Sequence, residues 1–266
     1  MRRGSIFWGI LILVLGVFLL INQFVPGFNA WGIFWPLVLV GLGVWFLMGQ
    51  RWASSTNLVN EQVNIPLADI REARIQLHHG AGRLEINPSA NPGELLSGSF
   101  MGGVEQRLER SGTSARLDLR NSNMQNFVGW PFGYSNQGFN WNIALTREIP
   151  LQLEVETGAS ETRLNLADLL VSDLLIKTGA SSSTVTLPAR AGQTRVNVHS
   201  GAASVELSLP QGVAGRIHIQ SGLAGVSIDP NRFPRVGSGY ETPGYETAAN
   251  KAEIYVETGV ASITIR

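Results

Sequence analysis

The sequence predicts a membrane-anchored all-β protein: a two-helix transmembrane hairpin followed by a single-domain parallel β-solenoid with rungs of about 21–22 residues. Three observations predict it. A phrase returns along the chain, as Glu156-Thr157-Gly158-Ala159-Ser160, Lys177-Thr178-Gly179-Ala180-Ser181, His199-Ser200-Gly201-Ala202-Ala203, Gln220-Ser221-Gly222-Leu223-Ala224 and Glu257-Thr258-Gly259-Val260-Ala261. Its glycines stand 21, 22, 21 and 37 residues apart, and a period in the low twenties marks stacked structural repeats. Short runs on both sides of each glycine alternate apolar and polar residues. Finally, no Asp, Glu, Lys or Arg occurs between Arg3 and Arg51.

Residues 1–52 form the predicted hairpin. Apolar stretches run over about 6–24 and 31–48, each near the roughly 20 residues that cross a bilayer core. Between them Asn22 to Asn29 carries the Pro26-Gly27 turn signal. Trp8, Trp31, Trp35 and Trp45 lie near the expected ends, where amphipathic rings favour the interface. No small-x-small cleavage site follows the first stretch, which argues against a removable signal peptide. Arg2 and Arg3 precede the first span, Arg51 follows the second, and the loop has no positive charge. The positive-inside rule then expects a multi-pass protein of the cell membrane with both termini in the cytoplasm.

Residues 53–266 form the predicted solenoid. Leu151 to Val155, Val196-Asn197-Val198, Ile217-His218-Ile219 and Ile254-Tyr255-Val256 alternate before their glycines, and Leu164-Asn165-Leu166, Val185-Thr186-Leu187, Val205 to Leu209, Val226-Ser227-Ile228 and Ile263-Thr264-Ile265 alternate after them. Period two means a strand with one buried face. One such unit cannot bury its apolar face alone, whereas an in-register stack gives a continuous core and pairs each backbone with its neighbour. Stacked in sequence order, Val155, Ile176, Val198, Ile219 and Val256 make one inward row, and Leu153, Leu174, Val196, Ile217 and Ile254 the next. Thr157, Thr178, Ser200, Ser221 and Thr258 make a hydroxyl row. Gly158, Gly179, Gly201, Gly222 and Gly259 read as corners, where glycine adopts φ > 0 without a Cβ clash. An earlier copy at Ile75 to Ile86 adds Gly80, with His79 in the Thr/Ser position. Glu105 to Leu108 and Ala115 to Leu119 are further strands, and Asn142 to Leu153 re-enters the regular rungs.

Two insertions interrupt the pattern. The segment 229–250 is rich in Pro, Gly and Tyr and accounts for the long spacing. The segment 121–141 has no charge and holds Phe127, Trp130, Phe132, Tyr134, Phe139 and Trp141 among Asn, Gln and Gly. Insertions in repeat proteins map to loops and often to binding faces. These six aromatics are the candidate interaction patch, for a partner protein, the bilayer surface or a glycan. The competing reading is that they cap the open end of the solenoid, which must be covered against edge pairing.

Chemistry is sparse. The formal charge is zero, so no global basic field recruits nucleic acid. There is no cysteine, which excludes disulfides and thiolate sites. Of the four histidines, His199 and His218 fall on outward positions of rungs expected to be neighbours, without a carboxylate at the equivalent position between them. Glu154, Glu156, Glu206, Glu253 and Glu257 scatter over outward positions rather than pairing across a groove. Gly80-Ala81-Gly82 lacks the further glycine and helix of a nucleotide fingerprint. We therefore expect no enzyme, cofactor or metal, and a recurring phrase that is structural. Function is expected where the phrase is interrupted, and in the hairpin.

Two resemblances carry this further. Met1-Arg2-Arg3-Gly4 leading into Phe7-Trp8-Gly9-Ile10-Leu11, with Trp35-Pro36-Leu37-Val38-Leu39-Val40-Gly41-Leu42-Gly43 opening the second span, looks like the LiaI/LiaF-type membrane region. The repeats from about Glu61 to Arg266 resemble bacterial adhesin-like or "toast-rack" β-solenoid domains and, more distantly, the C-terminal domain of LiaF. The resemblance implies a regulator or scaffold of the cell-envelope stress response, with a membrane histidine kinase or another envelope protein as partner beside the lipid bilayer. An adhesin-like or structural cell-surface domain is the alternative, and a carbohydrate-active β-helix enzyme a third.

Overall fold

The computed structural model describes residues 60–122 and 139–266, together with the helical residues Trp35 and Leu39. Apart from those two positions the predicted spans lie outside the described residues. Among the described residues no helix is long and apolar enough to cross a membrane. The strands all belong to one compact unit, residues 57–128 and 136–266.

They are β1 (Asn60–Pro66), β2 (Glu72–Asn87), β3 (Glu94–Met101), β4 (Val104–Ser111), β5 (Ser114–Asn121), β6 (Asn140–Leu145), β7 (Pro150–Asn165), β8 (Leu170–Thr186), β9 (Gln193–Ser208), β10 (Ala214–Ile228), β11 (Arg235–Val236), β12 (Gly239–Glu241) and β13 (Lys251–Ile265). They form one sheet, β1-β3-β6-β2-β7-β8-β9-β13-β10-β12-β11, with β5 beside β2 and β4 beside β5. The expected rungs are the long strands β2, β7, β8, β9, β10 and β13, each of which runs through its glycine.

The burial pattern explains how one strand makes two walls. In β7 the buried residues are Leu151, Leu153, Val155 and Thr157, then Ser160, Thr162 and Leu164. Gly158 and Ala159 are both exposed, so the alternation slips by one residue there. A slip of one moves every following side chain to the other face of a flat strand. Yet Val155 and Leu164 belong to one core, so the chain must fold over at the glycine. The expected inward rows form in register: Leu153 pairs with Leu174, Leu174 with Val196, Val196 with Ile254 and Ile254 with Ile217.

The order of the rungs differs from the sequence order. β13 lies between β9 and β10, pairing in parallel with both. Inside the stack β13 keeps Ile254, Val256, Ile263 and Ile265 at most 2 % exposed, whereas on the terminal rung β10 Val226 is 40 % exposed.

The sheet is mixed, which corrects the expectation of a purely parallel solenoid. β1–β3, β3–β6, β4–β5, β10–β12 and β11–β12 are antiparallel. These pairs sit toward the two ends of the stack, where short turns replace long returns. Gly112, at φ 59°, turns β4 into β5, a tight connection available only to antiparallel strands. Below β2 the next rung is split: β5 pairs with Glu72–His78 and β6 with Arg83–Asn87.

Both insertions are also revised. Asn121 closes β5, while Asn140 and Trp141 open β6, because Asn140 to Leu145 alternates like any other strand. The segment 229–250 contains the β11–β12 hairpin and a 3-10 turn at Tyr245–Thr247. It buries Phe233 and Tyr245 completely or nearly so and covers the start of β10.

Candidate interaction groove along the glycine column

The repeated glycines come together. Pairs such as His79 with Thr157 and Ala81 with Ala159 set Gly80 opposite Gly158, and the same register carries the column through Gly179, Gly201, Gly259 and Gly222. None of the six has a positive φ, so the expected left-handed corner is not their reason. Close approach is. A Cβ on Gly158 would stand 2.4 Å from the carbonyl oxygen of Gly80, one on Gly179 3.0 Å from that of Gly158, and one on Gly201 3.1 Å from that of Gly179. Gly259 and Gly222 repeat this at 3.0 and 2.9 Å. Only Gly80, over the split rung, would meet nothing.

With no side chains in that column, the corner is a furrow. It forms an open groove of about 910 Å³, floored by the glycines from Gly80 to Gly259. Along one side runs the hydroxyl row, Thr157, Thr178, Ser200 and Thr258. Thr157 donates to Thr178 at 3.1 Å and Ser200 to Thr258 at 2.8 Å, while Thr178 also bonds Ser181. These hydroxyls therefore satisfy one another.

Beyond them lies a charged row, His78, Glu156, Lys177, His199 and Glu257. Here Lys177 lies between Glu156 and His199, and His199 between Lys177 and Glu257. Lys177 Nζ donates to Glu154 Oε1 at 2.8 Å and to Glu156 Oε1 at 2.6 Å. Its bonds hold both carboxyls below the usual range, and the two glutamates, Glu154 foremost, raise the Lys177 ammonium in return. Gln76 supports Glu154 from β2 at 2.8 Å. His78 Nδ1 lies 2.8 Å from Glu156 Oε2, and its Nε2 lies 3.8 Å from Asp118, whose carboxyl Arg120 holds low. His199 Nδ1 lies 3.1 Å from Glu257 Oε2. Of the glutamates read from sequence as scattered, Glu154 and Glu156 meet at Lys177, Glu257 lies three rungs from Glu156 against His199, Glu206 pairs with Arg266, and Glu253 accepts from Tyr255.

His199 and His218, expected on neighbouring rungs, are separated by β13. His218 instead stacks on Tyr255, centroids 5.1 Å apart and planes at 14°. Among the described residues no group of three His, Asp or Glu is placed to hold a metal.

At the β2 end of the groove His79 replaces the row hydroxyl. It is 1 % exposed, and neither ring nitrogen has a hydrogen-bond partner. Burial lowers its pKa to about 4. Its ring lies 5.0 Å from Trp141, which packs edge-on against Phe100 at 5.1 Å.

The aromatic patch is therefore smaller than expected. Trp141 is 1 % exposed and is a core residue: the alternation of β6 points it inward. Phe139, half-buried, fits a notch between Gly82 and Gly102, where a Cβ would lie 2.1 Å from its carbonyl oxygen and its ring respectively. Its carbonyl accepts the Arg83 amide at 3.0 Å. Phe127, Trp130, Phe132 and Tyr134 lie outside the described residues. The groove itself is missed by reading strands singly, since each rung supplies one residue to each row. Its signal is the column two places before the glycine, which holds His78, Glu156, Lys177, His199, Gln220 and Glu257.

The furrowed, corner-stacked sheet gives this unit a β-solenoid-like architecture. Residues 54–208 match the family described as the N-terminal domain of toast_rack, DUF2154. The match spans more than half of the chain, and the chain belongs to that family. Among solved structures it is similar to one from Clostridium sporogenes ATCC 15579 that carries a provisional description as a cell adhesion protein. The identity is 21%, covering 78% of this chain and 98% of that one, with a TM-score of 0.69. That likeness is one of fold. A provisional adhesin from Bacteroides fragilis NCTC 9343 matches at 7% identity over 80% of this chain and 98% of its own, with a TM-score of 0.19, which carries no argument. No match was found among curated proteins.

Proposed function

We propose that the protein is a non-enzymatic, membrane-anchored interaction protein of the cell envelope, a LiaF-like regulator or scaffold of the envelope stress response. The groove is the observation that carries this reading. Its lysine pairs with Glu154 and Glu156, His78 and His199 each contact a glutamate on the next rung, and its hydroxyls bond in pairs. What remains is a long surface of backbone, hydroxyl and balanced charge, suited to recognition. An activated nucleophile needs a base aimed at it, and no hydroxyl of the row is hydrogen-bonded to a histidine or carboxylate among the described residues. The charge-free stretches 6–24 and 31–48 supply the anchor, and the bilayer is the first partner. The second is a membrane histidine kinase, met through the groove or through Phe127, Trp130, Phe132 and Tyr134.

Affinity capture from detergent-solubilised membranes, with and without a cell-wall antibiotic, tests the regulator. A sensor kinase should co-purify with the native chain and be reduced at least tenfold by Glu156→Lys combined with Glu257→Lys. Absence of any kinase in both states overturns the regulator reading. The fold shared with the Clostridium sporogenes protein favours a second reading, an adhesive or structural domain at the cell surface. That reading requires the solenoid on the outer face of the membrane.

A further inference from the structure

By their own residues β10 and β13 could change places. They pair in one register, which sets Ile217, Val226 and Ile228 opposite Ile254, Ile263 and Ile265. β9 meets β13 in that same register, so β10 would also fit beside β9, with Val196 against Ile217 and Val205 against Val226. The chain would reach: the β9–β10 connection, residues 209–213, falls in length between 166–169 and 187–192, which join neighbouring rungs. Yet here it skips a rung.

The segment 229–250 breaks the tie. In a stack ordered as the sequence, β13 would take the outer edge of β10, Arg216 and Ile217 included. β12 already holds those two residues on that edge, Arg216 opposite Glu241 and Ile217 opposite Tyr240. Each backbone unit has one N–H and one C=O to give, so β12 and β13 exclude each other there. The hold is close. A Cβ on Gly239 would stand 2.6 Å from the Ile217 carbonyl oxygen, and one on Gly215 2.9 Å from the Phe233 ring. Thr242 donates its amide to the Gly215 carbonyl at 2.8 Å and accepts the Gly215 amide on its hydroxyl at 3.0 Å. Arg216 donates to Glu241 at 2.6 Å and to Glu246 at 2.5 Å. Arg232 donates to the carbonyls of Leu209, Pro210 and Val213, which fastens the connection that skips a rung. At the other end of the segment, Asn250 accepts the Ala214 amide on its carbonyl and the Gly192 amide on its side chain, and so leads β13 in between β9 and β10.

We infer that the β11–β12 hairpin is a blocking element that sets the order of the rungs: by holding the outer edge of β10 it leaves β13 the slot between β9 and β10. The order reaches the groove as well. His199 faces Glu257 because β13 lies beside β9. With β10 there in the common register, His199 would face Gln220. Displacing the hairpin thus exchanges the partner of His199.

The test places cysteine pairs in the full chain, which has none of its own. Ser204 on β9 and Ser262 on β13 are exposed register partners. Gly225 lies one rung further, opposite Ser262 on β10, and a Cβ there would meet nothing within 4 Å. Neighbouring strands lie about 4.8 Å apart, within reach of a disulfide, and strands two apart, at about 9.6 Å, are outside it. In the native chain mild oxidation should close Ser204→Cys with Ser262→Cys and leave Ser204→Cys with Gly225→Cys open. Gly239→Val with Glu241→Lys then loosens the hairpin, by a clash with β10 and repulsion from Arg216. In that background the second pair should close in at least half of the chains, closure of the first should fall at least twofold, and the β-sheet circular dichroism should be kept. Closure of the first pair alone in both backgrounds overturns the inference, as does closure of the second in the native chain. A loosened chain that loses its β-sheet signal also overturns it, whichever pair closes, since the sequential order is then no alternative fold.

Discussion

A methyl group decides the glycine column. On Gly158 it would sit 2.4 Å from a backbone carbonyl that cannot swing aside, while on Gly80 it would enter open space. Gly158→Ala should therefore cost about 1–3 kcal/mol, the usual range for overpacking, and Gly80→Ala should be neutral within about 0.5 kcal/mol. Urea unfolding of the pair checks this, and equal losses at the two positions would refute the close-approach argument. His79 supplies a second test. Its folded-state pKa lies near 4 against an ordinary 6.5. Below pH 6.5 the unfolded chain takes up a proton that the folded chain refuses. Stability present above pH 6.5 is thus lost as pH falls towards 4, by up to about 3 kcal/mol. His79→Phe should remove that part of the acid slope in denaturation curves measured from pH 7 to 4.

The strands divide into those held on both edges and those held on one. β13 lies between β9 and β10, and its Ile263 is fully buried; Val226, on the terminal rung, is 40 % exposed. Truncation of Ile263 to Ala should cost about 2–5 kcal/mol, as for other large-to-small core changes, and Val226→Ala less than about 1 kcal/mol. In a sequential stack β13 would be terminal and the ranking would reverse, so melting temperatures of the two variants test the rung order directly. The strands themselves are legible because alternation is local: β4, β5 and the repeats all fall where their apolar residues predict. Trp141 escapes the sequence for a local reason as well. A run of aromatics among Asn and Gly looks like an exposed loop until Asn140 to Leu145 is seen to alternate and pair with β2 and β3.

At the scale of the whole molecule, flanking arginines and uncharged stretches predict that both termini face the cytoplasm. Protease should then digest the solenoid in inside-out vesicles and spare it in right-side-out ones. The opposite pattern would support the surface-domain reading. What each rung contains, its inward rows, its hydroxyl and its glycine, is readable along the chain, because side-chain parity and a fixed period are properties of one strand and its copies. Which rung lies next to which becomes visible only on stacking, since β10 and β13 share one register and carry inward rows of the same residue types, so parity and period do not order them. Only the tertiary structure decided why the glycines are there and where the groove runs. Both depend on contacts between rungs, a carbonyl against an absent Cβ and a lysine between glutamates, and such contacts exist only once the strands are stacked.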